Sequence, residues 1–95
     1  MRIFYRISHP TPADVLLIVE VADTSLAYDT QIRLPLYARH GIPEVWLVDL
    51  ANYQLIVHRS PTPDGFQDVW SLADLSAVTP LLLPNVAVNL SGLFA

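Results

Sequence analysis

Cysteine is absent from the 95 residues, and so is lysine. The first absence excludes disulfides and thiolate-bound zinc, and it agrees with a reducing, cytoplasmic setting. The second leaves arginine as the only long cation. Five arginines stand against nine acids, for a net charge of −4. They are scattered, apart from Arg2 and Arg6, with none of the basic patch that a dedicated nucleic-acid binder carries. Glycine is scarce too: the three are isolated, so there is no glycine-rich phosphate loop. No apolar run comes near the ~20 residues that a membrane helix needs. The start, Met1 to Arg6, lacks the apolar stretch and small-residue cleavage site of a signal peptide. His9, His40 and His58 lie far apart without metal-ligand spacing, and each reads as a surface or structural histidine.

What the chain has in plenty is apolar surface. It is 53% hydrophobic, with a mean hydropathy of +0.41. In a small chain without a membrane segment, that predicts an apolar face covered by a partner, most simply a second copy in a homodimer. The length predicts one domain over residues 1–95.

The stretch Val15-Leu16-Leu17-Ile18-Val19-Glu20-Val21 reads as a β-strand buried on both faces, being apolar, β-branched and too short for a buried helix. Glu20 is the one polar group in that wall. Burying it unpaired is costly, so it must meet a cation, take a proton or emerge into a cleft. Upstream, residues 1–8 alternate loosely and predict a strand or extended arm, broken by His9-Pro10-Thr11-Pro12. Downstream, residues 22–27 read as a loop. A helix over about 30–40 is capped by Asp29 or Thr30 and stopped by Gly41, with Ile32, Pro35, Leu36 and Arg39 marking one face. Pro35 is expected to kink it.

Residues 44–50 form a second strand, with Val45, Leu47 and Asp49 on one face and Trp46, Val48 and Leu50 on the other. Strand, helix and strand make a βαβ crossover. Residues 53–59 hairpin onto the second strand, Ser60 to Gly65 is a loop, and residues 66–72 alternate as a further strand. Residues 73–84 read as irregular, 86–88 as a short strand, and 90–94 as one helical turn docking its leucine and phenylalanine. The expected fold is α/β or α+β: a mixed sheet of four to five strands with one main helix.

No nucleophile–base constellation stands out, but the residues just named carry a resemblance. Pro12-Ala13-Asp14 leads into the first buried strand, which ends on Glu20-Val21. Ala22 to Asp29 follows, then Leu34-Pro35-Leu36-Tyr37-Ala38-Arg39 and Gly41-Ile42-Pro43-Glu44-Val45-Trp46-Leu47-Val48-Asp49. This combination resembles the Uma2 family of endonuclease-like proteins, placed in the PD-(D/E)XK restriction-endonuclease-like superfamily, over nearly the whole chain. The resemblance implies a Mg2+-dependent nuclease acting on DNA. It implies Glu20 and the Val21 carbonyl as metal ligands, with Arg33 at the position of the family's lysine.

Two departures accompany it. No Pro-Asp pair precedes Glu20, and the early helix and strands of the family fold are expected to lie before Met1, leaving a truncated core. Arginine also replaces lysine, keeping the charge but losing a compact, ionisable amine. Magnesium usually takes one or two carboxylates as well as phosphate oxygens, so weak or absent cleavage is expected. The competing reading is a non-enzymatic, homo-oligomeric interaction module. The structural readings of the same residues are an ion pair of Glu20 with Arg33, core packing for Tyr37 and Trp46, a surface position or helix-to-strand contact for Glu44, and a strand-end or turn role for Asp49. Asp23 reads as a loop acid and Asp29 as a cap.

Overall fold

The computed structural model describes residues 2–6, 14–22 and 27–94. The expected break at His9–Pro12 and the loop acid Asp23 lie outside them. Five strands and one helix follow in the order β1 (Arg2–Arg6), β2 (Val15–Ala22), α1 (Ala27–Arg39), β3 (Glu44–Asp49), β4 (Gln54–Thr62) and β5 (Gly65–Leu72). The strands form one sheet in sequence order. Only the β2–β3 pair, joined through α1, is parallel; β1–β2, β3–β4 and β4–β5 are antiparallel. This is the expected mixed sheet with one main helix, an α+β fold.

Alternation along the strands divides the core into two layers. On one face, Val15, Ile18, Val45 and Ile42 meet Leu34 and Tyr37 of α1. On the other, Leu17, Trp46, Val48, Leu55 and Val57 meet Val78, Val88, Leu90 and Leu93 of the C-terminal segment. β2 is therefore covered on both faces, as its apolar run requires. The segment expected to be irregular supplies the second cover. Its expected strand at 86–88 reduces to a single bridge between Val78 and Val88. The turn at its end docks Leu93 and Phe94 as anticipated.

The helix departs from expectation at its start. It begins at Ala27, so Asp29 and Thr30 lie inside its first turn and not at the N-cap position. It runs through Pro35. Pro35 lacks the amide that would donate to the Gln31 carbonyl, and both residues are solvent-exposed. The face marked by Ile32, Pro35, Leu36 and Arg39 is also the exposed one, while Leu34, Tyr37 and Ala38 turn to the sheet. The stop at Gly41 is as expected. Gly41 has φ 75°, its amide donates to the Ala38 carbonyl, and Ile42 donates to Tyr37, which is a Schellman closure.

Two of the turns are side-chain built. Asp49 accepts from the amides of Ala51 and Asn52 at 3.1 and 3.2 Å, the turn role expected of it. The Ser60–Gly65 loop is tighter than expected. β4 continues to Thr62 and β5 begins at Gly65 with the register unbroken, and Ser60 has φ 59°.

Candidate functional site

Glu20 projects from β2 under α1 and is 1% exposed. It is not left unpaired there. Arg33 donates to its Oε1 through Nε at 3.1 Å and Nη2 at 2.7 Å. Tyr37 donates its hydroxyl to Oε2 at 2.8 Å. Arg33 and Tyr37 stand four residues apart on one face of α1, which is why both reach the same carboxylate. The arrangement also explains which helix face turns inward. A buried carboxylate selects the face carrying a guanidinium and a phenol over the one carrying Ile32 and Leu36.

Of the alternatives open to Glu20, the structure realises the ion pair. Val21 points to the opposite face, beside Val19 and Leu90, and pairs with Val48 in the β2–β3 ladder. Glu20 and Arg33 are thus brought together as a pair, while the Val21 side chain stands apart from them.

A second buried carboxylate was not recognised from the sequence. Glu44, expected at the surface or in a helix-to-strand contact, is fully buried. Its Oε2 accepts from Arg59 Nε at 2.8 Å and its Oε1 from the Leu81 amide at 2.8 Å. Arg59 also donates from Nη2 to the Thr79 carbonyl at 3.0 Å and lies over the Trp70 ring, 5.2 Å from its centre. The available signal was register. Glu44 and Arg59 sit at the two ends of a hairpin and pair across β3 and β4. Trp46 packs in the core. His58 is buried against Phe66, with ring centres 5.8 Å apart, and burial lowers its pKa below the ordinary 6.5.

The comparisons with known proteins bear on this geometry. The family model Uma2, described as "putative restriction endonuclease", matches residues 2–91. The chain belongs to the Uma2 family. No curated protein and no solved structure matches it. The family description suggests a restriction-endonuclease-like function and implies DNA as the substrate. Proteins of this kind generally use Mg2+.

The donor set does not fit that ion. Three of the roughly four acceptor positions of the Glu20 carboxylate are taken by Arg33 and Tyr37. A guanidinium in contact with the carboxylate also repels a dication. Among the described residues, no three His, Cys, Asp or Glu side chains gather to hold a metal. Nor is any helix among them long and apolar enough to cross a membrane.

Proposed function

We propose that this chain is a restriction-endonuclease-like Uma2 domain, directed to DNA, in which Mg2+-dependent cleavage is weak or absent. The observation that carries the reading is the engagement of Glu20. Its two oxygens are held by Arg33 and Tyr37 beneath α1. A metal that activates water for phosphodiester hydrolysis must coordinate oxygen ligands tightly. Here the carboxylate at the family position would first have to shed a permanent cation. Arg33 stands at the lysine position, but its fixed fork is spent on Glu20 and its proton is not given up at any working pH. Glu20 and Arg33 remain the residues through which any residual activity would run.

Plasmid nicking tests this. The purified chain is expected to cut no more than a vector-only preparation with Mg2+ or Mn2+, and Arg33→Lys is expected not to restore cutting. Robust cleavage that Glu20→Ala abolishes would overturn the reading.

A homodimeric interaction module is the second reading, and two observations favour it. β1 is an edge strand, and edges of this kind recruit other chains. On α1, Ile32 and Leu36 lie one turn apart and are 49% and 41% exposed. Light scattering at micromolar concentration is expected to give twice the chain mass. A monomer that does not change on dilution would remove this reading and leave the first intact.

A further inference from the structure

The C-terminal residues 73–94 are bonded mostly to themselves. Val78 and Val88 exchange two backbone hydrogen bonds of 2.8 and 2.9 Å, and the Leu90 amide donates to the Leu75 carbonyl at 2.7 Å. Leu83, Val86 and Leu93 donate to carbonyls three residues back. Asp74 and Asn89 accept from Ser76 and Ser91, two residues on. Among the described residues, only two hydrogen bonds join this segment to the sheet. Both involve the buried pair: the Leu81 amide to Glu44, and Arg59 to the Thr79 carbonyl.

The remaining attachment is apolar, and two grooves open along it. A groove of about 340 Å³ lies between Leu17 and Trp46 of the sheet and Pro80, Leu83 and Val88 of the segment. A second, of about 300 Å³, lies between Val19, Val21 and Trp46 and the facing Val88 and Leu90. Trp46 and Val88 separate the two, and the Trp46 indole N–H has no acceptor. Units with a self-contained hydrogen-bond set can open as one below the global unfolding free energy.

We propose that residues 73–94 form a strap that opens from the sheet as one unit, with the Glu44–Arg59 pair as its latch. Opening leaves the strap's internal bonds intact, because they do not depend on the sheet. It breaks the two latch bonds and joins both grooves into one cleft floored by Leu17, Trp46 and Val48. The closed state is held by the carboxylate that binds the strap's Leu81 amide while fixing the arginine that binds its Thr79 carbonyl. The latch therefore releases cooperatively, because losing Glu44 also frees Arg59.

The absence of cysteine provides a clean test. Val78→Cys places one thiol in the strap at a buried position, and Val45→Cys places one in β3 on the opposite face, under α1, also buried. Under native conditions the Val78→Cys thiol is expected to react with a disulfide reagent at least about tenfold faster than the Val45→Cys thiol, since strap opening does not uncover the α1 face. Adding Glu44→Gln is expected to accelerate the strap thiol further and to leave the β3 thiol nearly unchanged. Arg59→Lys, which keeps a cation but loses the fork, should accelerate it less. Equal rates for the two thiols in the otherwise native chain would overturn the proposal. So would equal acceleration of both by Glu44→Gln, which would make Glu44 a support of the whole fold.

Discussion

Removing the cation from Glu20 has an effect that can be worked from the structure. Arg33→Met keeps the length and apolar stem of the side chain and deletes the guanidinium. Glu20, 1% exposed, is then held only by the Tyr37 hydroxyl. Breaking a buried pair by removing one partner costs about 3–5 kcal/mol, because the remaining charge is stranded. The Arg33 side chain is 24% exposed, so water partly screens the pair, and the lower end, about 3 kcal/mol, is the better expectation.

For a domain near 100 residues this corresponds to a fall in Tm of about 12–24 °C. Urea unfolding followed by tryptophan fluorescence measures the free energy, since Trp46 is buried and changes environment on unfolding. Replacing both members together, Glu20→Leu with Arg33→Met, should cost much less than Arg33→Met alone. A loss under about 1 kcal/mol for Arg33→Met, the range of exposed pairs, would refute the reasoning and leave Glu20 free for other ligands.

His58 gives an independent pH prediction. Its pKa is lowered by burial, so the unfolded chain binds the proton more readily, and stability is lost as the pH falls below about 6.5. Chemical denaturation at pH 7.5 and 5.5 should show this loss, and His58→Leu should reduce it. Gly41→Ala is expected to cost about 1 kcal/mol, because the left-handed backbone disfavours a Cβ, although nothing lies within 4 Å of the added atom. Ile18→Ala, at a position 2% exposed, should cost about 2–5 kcal/mol by transfer and cavity terms. Both are read from denaturation midpoints.

The strands were legible because their signals are local. An apolar β-branched run, alternation at 66–72 and turn residues at 51–52 each act within a few residues. The helix was placed less well. Its start lies three residues before the expected 30, with Asp29 and Thr30 in the first turn. Ile32 and Leu36 mark a face that stays exposed, because polar partners for Glu20 turn the Arg33 and Tyr37 face to the sheet.

The central pair could be anticipated from chemistry, since a lone acid in an apolar strand needs a cation and Arg33 lies on the next element. Tyr37 as a second donor to Glu20 was hidden behind its reading as core. The Glu44–Arg59 pair was hidden for a different reason. Glu44 begins a strand, where acids are usually solvated. Its burial depends on a segment nearly forty residues later folding back over it, and no local pattern encodes that return.

The central claim is that Glu20 belongs to Arg33 and Tyr37 and not to a metal. Calorimetric titration of the purified chain with Mn2+ and Mg2+ tests it most directly. The account predicts no binding in the micromolar range for the native chain, and the same flat titration for Glu20→Gln. Micromolar binding by the native chain that disappears in Glu20→Gln would contradict it.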